Sequence, residues 1–200
     1  MRYRDYKEFR QGHYYHIYNR GQNLEPVFLD EQDYDQFLDR FQMVLNQKIY
    51  SRFQIKPFPT TSFTIIAYCL MKNHFHFLIR QNSIITISRL MQKVTTSYAR
   101  YFNSKYKRIG NVFQDTFKSK QVEKDQYLTY LTAYIHNNPA KPAVYFYSSF
   151  REYMHKPTRN ICDTGIVLKY FNNRKKIYKN FVDCYKLKEH TKIRHLEFED

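Results

Sequence analysis

Apolar and polar positions alternate along this chain in two recurring rhythms. His13 to Asn19 (HYYHIYN) is short, aromatic and β-branched and is closed by Arg20-Gly21, which predicts a first strand. A turn follows at Asn23 to Pro26. From Asp33, with that aspartate as the expected cap, Tyr34, Phe37, Leu38, Phe41 and Leu45 recur at steps of three and four and predict an amphipathic helix. The proline-bearing stretch Lys56 to Thr61 leads into Phe63 to Leu70 (FTIIAYCL), a nearly unbroken apolar run of strand length. After Met71-Lys72-Asn73, His74 to Arg80 (HFHFLIR) begins with strict alternation, so the two runs predict a hairpin with His74 and His76 on one face and Phe75 and Phe77 on the other. Helical spacing returns between Ser83 and Phe102, Val112 to Val122 reads as a further strand, and Lys124 to Asn137 reads as a third helix that Pro139 stops.

The order strand, helix, strand, strand, helix, strand is that of the α+β ferredoxin-like unit (βαββαβ), an antiparallel sheet with helices on one face. The third helix is an addition to that core. We assign residues 10–146 to one catalytic-sized domain and 147–200 to a basic, partly helical C-terminal extension, where the patterning weakens around Asn172-Asn173-Arg174-Lys175-Lys176. A chain of 200 residues suits one such domain with an appendage.

Charge changes the picture more than size does. Lys and Arg number 33 against 18 Asp and Glu, a formal net charge of +15, and 20 Tyr with 17 Phe accompany them without any Trp. Cations hold phosphates and aromatic faces stack on unpaired bases, so this composition points to a nucleic-acid partner. Residues 81–122 hold eight basic side chains against Asp115 alone, and Arg100, Lys105, Lys107, Arg108, Lys118 and Lys120 are the expected phosphate track. The run Glu25 to Asp39, six acids without a base, is expected to face away from nucleic acid. Three widely separated cysteines, Cys69, Cys162 and Cys184, give no disulfide framework and no clustered zinc site. The polar amino-terminal residues and the lack of an apolar run of spanning length predict a soluble, cytoplasmic protein without a membrane partner.

Two features carry chemistry. His74 and His76, two apart on one strand, place two imidazoles near enough to share a divalent ion, although a lone His-x-His pair also arises as ordinary hydrogen-bonding residues. On the third helix Tyr127, Tyr130, Tyr134 and Asn138 follow at steps of three, four and four and share a face. A phenol, with a free pKa of about 10, becomes a useful nucleophile only beside a cation or a metal-bound phosphate. Spacing alone does not choose among the three tyrosines. No GxxxxGK loop is present, so no nucleotide cofactor is expected.

These motifs in this order, Tyr18-Asn19-Arg20-Gly21, Met71-Lys72-Asn73-His74-Phe75-His76-Phe77-Leu78, Tyr98-Ala99-Arg100-Tyr101-Phe102-Asn103, Phe113-Gln114 with Phe117-Lys118-Ser119, and Tyr134-Ile135-His136-Asn137-Asn138-Pro139, resemble the single-tyrosine HUH transposases. The REP-associated branch is the nearest look, and Tyr145 to Tyr153 resembles its downstream segment. The resemblance implies that His74 and His76 bind Mg²⁺ or Mn²⁺, that Asn138 supplies a third ligand, and that Tyr134 attacks single-stranded or hairpin DNA to form a 5′-phosphotyrosine link. Asn19 and Arg20 fit either DNA contact or bracing of the site, and His136 reads as structural. Among such relatives the active unit is a monomer or a homodimer. A descendant that binds a nucleic-acid hairpin without cutting it is the alternative reading, and RNA binding through stacked aromatics has the composition but no motif.

Overall fold

The computed structural model describes residues 8–45, 56–123, 125–154 and 159–192, with side chains described for all of these except 125–126 and 186–192. The expected helix start at Lys124 and part of the loop 48–61 lie outside the described residues. Four strands, β1 (Tyr14–Arg20), β2 (Phe63–Met71), β3 (His74–Gln81) and β4 (Lys118–Val122), form one sheet in the order β2-β3-β1-β4 with every neighbouring pair antiparallel. That is the strand order of the ferredoxin-like unit, and it follows from the element order once each helix crosses the same face.

Helices α1 (Glu31–Val44) and α2 (Ile87–Tyr106) cover that face. Period-two alternation sends Tyr15 and Ile17 of β1, Tyr68 and Leu70 of β2, and Phe75, Phe77 and Ile79 of β3 toward them. Phe37 lies at the centre, with Phe75 at 5.1 Å and Tyr98 edge-on at 5.0 Å between ring centroids. Truncating a buried Phe of this kind to Ala costs about 3 to 5 kcal/mol. The cap of α1 is Asp30, three residues earlier than expected, because Asp33 is the reciprocal member of a capping box. Its backbone amide donates to Asp30 Oδ1 at 3.1 Å, while its own Oδ2 accepts from the amides of Leu29 and Asp30.

The opposite face carries Ile66, Ala67, Cys69 and Leu78, covered by α3 (Asp125–Asn137) and by the chain that follows it. The segment expected as an extension is packed into this layer. Helices α4 (Phe150–Met154), α5 (Gly165–Leu168) and α6 (Lys175–Lys192) bring Phe150, Tyr153, Val167, Tyr178 and Val182 into the same apolar cluster as the sheet. Its backbone also extends the β2 edge through single bridges from Ser148 to Cys69 and from Cys162 to Ile65. Cys69, Cys162 and Cys184 are free thiols. Among the described residues no helix is long and apolar enough to cross a membrane.

The expected strand 112–122 is shorter in the structure. Phe113 makes only an isolated bridge to Gly21, and the chain bends at Gln114–Thr116 before β4 begins. Helix α2 starts at Ile87 and runs on to Tyr106, ending where Lys107 turns into the left-handed region at φ 53°.

Candidate active site

Strand β3 delivers both histidines to the α3 side of the sheet while Phe75 and Phe77 are locked into the other core. His76 sits mid-sheet, level with Cys69 on β2 and Tyr18 on β1, and is buried, whereas His74 is half-buried one step nearer the hairpin turn. That turn, Lys72-Asn73, is clamped from outside. Lys72 carbonyl accepts from the amides of Val27 and Phe28, and Asn73 carbonyl accepts from Gly21 at 2.8 Å. Gly21 is required here for space, since a Cβ at this position would lie 2.0 Å from the Glu25 carbonyl oxygen.

A third histidine joins the pair. His16 Nε2 lies 3.0 Å from His76 Nδ1, with the rings stacked at 5.2 Å and 17°. Burial, then the charges of His76 and Lys120, hold the His16 imidazole well below its ordinary pKa, so it is neutral. The motif reading missed this residue. The signal was present in the alternation of β1, which sets His16 and Tyr18 opposite Ile17, but the neighbour of β1 is known only once the sheet order is.

Helix α3 lays Leu128, Leu131 and Ile135 on the sheet, and its tyrosines part company along the helix. Tyr127 is exposed, and Tyr130 packs against Phe181 and Tyr185 of α6. Tyr134 alone of the three meets the histidines, edge-on to His76 at 5.6 Å and to His16 at 6.2 Å. Just beyond the helix end, Asn138 Oδ1 lies 3.3 Å from His74 Nε2 while Asn138 Nδ2 donates to the Tyr134 carbonyl at 3.2 Å. Four residues, His74 and His76 from β3, Tyr134 from α3 and Asn138 just after it, are therefore gathered on one face.

Around His74 two amide oxygens converge. Asn73 Oδ1 is 2.7 Å from His74 Nδ1, and its Nδ2 donates to the Leu24 carbonyl, so both this amide and that of Asn138 are oriented by their own N–H bonds. A neutral imidazole has one N–H. Donating it to Asn73 leaves the Nε2 lone pair facing the Asn138 oxygen, an arrangement that a cation between them relieves. Two ligands of one octahedral ion, each bonded at about 2.1 Å, stand about 3.0 Å apart, close to the separation here. The residues fit a hard divalent ion held by two imidazoles and an amide.

Beside this group a cleft of about 310 Å³ is walled by Tyr18, Arg20, Asn73, His74, the bend Gln114–Thr116 and Lys118. Asn19 braces the bend, donating to the Asp115 carbonyl at 3.0 Å, and Arg20 Nε donates to Gln114 Oε1 at 2.7 Å. Lys118 and Lys120 lie on the edge strand β4, opposite Tyr18 and His16 and on the histidine side of the sheet. The rest of the expected phosphate track is elsewhere. Arg100 is exposed on α2 and Lys107 is exposed at its end, across the sheet from the histidines. Lys105 bonds Asp30 at 2.7 Å and Asp33 at 2.9 Å, and Arg108 bonds Glu25 at 2.9 Å. These two cations thus serve the acidic segment expected to face away from nucleic acid, as does Arg159 with Asp35 and Asp39. Burial pushes the Asp33 carboxyl up, but hydrogen bonds from Lys105, the Leu29 amide and two tyrosines bring it below its ordinary value.

A family model for IS200-like transposases matches residues 10–138, from before β1 through Asn138. The chain belongs to the IS200-like transposase family. This transposase is a single-tyrosine enzyme of the HUH kind. Its fold is also that of a REP-associated tyrosine transposase solved bound to a REP hairpin, at TM-score 0.58 and 13% identity over 74% of this chain and 83% of that one. A Deinococcus radiodurans protein described as a transposase matches at TM-score 0.42 and 16% identity, over 66% of this chain and 94% of that one. No curated protein matches the transposase.

Proposed function

We propose that this transposase cuts and rejoins single-stranded or hairpin DNA through a 5′-phosphotyrosine intermediate on Tyr134, with His74, His76 and Asn138 holding Mg²⁺ or Mn²⁺. The observation that carries the reading is the meeting of Tyr134 of α3, and of Asn138 just past its end, with two histidines some sixty positions earlier on β3. Mn²⁺ accepts the imidazole pair more readily than Mg²⁺ does, and an amide oxygen with substrate oxygen and water suits either ion. When bound, the ion polarises the scissile phosphate and neutralises charge that develops on it.

The chain's own residues supply the remainder. Tyr134 Oη attacks phosphorus, its proton leaves, and the bond from phosphorus to the 3′-oxygen breaks. The 3′-oxygen takes a proton and departs as a hydroxyl, while the downstream strand stays attached through its 5′-phosphate. A second 3′-hydroxyl reverses the step, so the energy of the phosphodiester is retained and no nucleotide is consumed. Lys118 and Lys120, which border the site, draw the strand toward the cleft, and exposed Arg20, Arg100 and Lys107 contribute to the wider electrostatic footprint. The REP hairpin held by the structurally similar transposase supports a hairpin as the substrate form.

The test incubates 3′-end-labelled single strands bearing hairpins from the flanks of the gene with protein and Mg²⁺ or Mn²⁺, and resolves covalent adducts on a denaturing gel. An adduct lost in Tyr134→Phe and kept in Tyr127→Phe and Tyr130→Phe is the expected result. Tight binding without any adduct would instead establish a hairpin-binding protein that does not cut.

A further inference from the structure

We propose that His16 is a positioning residue that fixes which nitrogen of His76 carries a proton and thereby makes His76 a metal ligand. The proposal rests on the reading of His74 and His76 as ligands. An imidazole ligates through a lone pair, and its other nitrogen is then a donor that needs an acceptor to hold the ring. For His74 that acceptor is the Asn73 side chain, 2.7 Å from Nδ1. The equivalent contact of His76 Nδ1 is His16 Nε2 at 3.0 Å, within the buried sheet.

One proton lies between His76 Nδ1 and His16 Nε2, so two arrangements of this hydrogen bond exist. In one, His76 Nδ1–H donates to His16 and the His76 Nε2 lone pair is available to the ion. In the other, His16 donates, His76 Nδ1 accepts, and the proton on His76 Nε2 forbids ligation. Only a His16 that keeps its Nε2 as acceptor is compatible with a working site. The same residue sets the ring plane, since the two imidazoles stack at 17° and Tyr134 stands edge-on to both. No step of the strand-transfer chemistry set out above uses His16.

The experiment measures Mn²⁺ affinity of the DNA-free protein by electron paramagnetic resonance, with thermal unfolding to check folding and hairpin binding in EDTA as a control. His16→Phe keeps a flat ring and removes the acceptor, whereas His16→Gln places a carbonyl oxygen near the lost Nε2. We expect His16→Phe to weaken Mn²⁺ by about 10- to 100-fold, His16→Gln to recover most of that loss, and hairpin binding in EDTA to stay unchanged. Wild-type affinity in His16→Phe, or equal losses in both variants, would overturn the role. Should His16→Phe fail to fold, long-range ¹H–¹⁵N spectra of the wild type decide: an Nδ1–H His76 supports the proposal and an Nε2–H His76 refutes it. If the wild type shows no Mn²⁺ binding sensitive to His74→Ala, the ligand reading itself falls and takes this one with it.

Discussion

Lowering the pH from 7 to 5 should loosen the attachment of the helix that carries Tyr134. Two residues on from the tyrosine, His136 is fully buried among α3, α4, α6 and the sheet edge. Its bonds form one consistent chain: Tyr178 hydroxyl donates to Nδ1 at 2.7 Å, Nε2–H donates to Ser149 Oγ at 2.8 Å, and Ser149 donates on to the Tyr68 carbonyl. Burial pushes the His136 pKa down to about 3, so the folded protein holds it neutral while the unfolded chain titrates near 6.5. Because the folded value is depressed, stability is complete above the unfolded pKa and is lost as pH falls toward 3. Linkage gives a loss of about 2 kcal/mol between pH 7 and pH 5 from this group, or about 4 to 8 °C in unfolding temperature for a chain of this size. His16, buried and shifted in the same direction, adds to the slope. The assay is the circular-dichroism unfolding midpoint at pH 7, 6 and 5 at fixed ionic strength, for the wild type and for His136→Gln, which does not titrate. A flat wild-type profile, or an equal slope in the variant, would refute this account.

Three further outcomes follow from the packing and charge layout. Lys105→Ala leaves the fully buried Asp33 carboxylate without its cation and should lower stability by about 2 kcal/mol by denaturant titration while hairpin affinity is unchanged, because Lys105 faces Asp30 and Asp33 rather than the histidines. Lys118→Ala and Lys120→Ala should each weaken hairpin binding and reduce the slope of log K against log salt by about 1, as measured by fluorescence anisotropy across a salt series; an unchanged slope would remove β4 from the interface. Gly21→Ala should cost about 2 to 3 kcal/mol in denaturant titration, since the new Cβ meets the Glu25 carbonyl and the loop that clamps the His74 turn must shift.

Much of the architecture was readable from local pattern. Alternation in HFHFLIR assigns the faces of His74 and Phe75 without any knowledge of the rest of the chain, and the strand and helix order then determines the sheet. What escaped depends on contacts between distant segments. Asp33 looked like a helix cap because it precedes the apolar rhythm, but Tyr101, Lys105 and Tyr106 of α2 compete for its oxygens and Asp30 takes the capping position. The basic run 81–122 looked continuous, yet α2 covers one face of the sheet while Lys118 and Lys120 of the edge strand β4 lie on the other, and Lys105 and Arg108 find acids sequentially far away. The segment after residue 147 seemed weakly patterned because its buried residues are scattered through short helices and single bridges, each meaningful only against α3 or β2.

Strand β3 carries two incompatible instructions in one register, aromatic rings for the α1–α2 core and imidazoles for the α3 side. A slip of one residue would turn His74 and His76 into the apolar layer and expel Phe75 and Phe77 from it. The packing energy of two phenylalanines thus acts as a quality control on the histidines: a misregistered molecule is penalised as a folding failure and does not persist as a stable but inactive one. A dry core and the aim of the candidate site thus depend on the same four consecutive residues, His74 to Phe77.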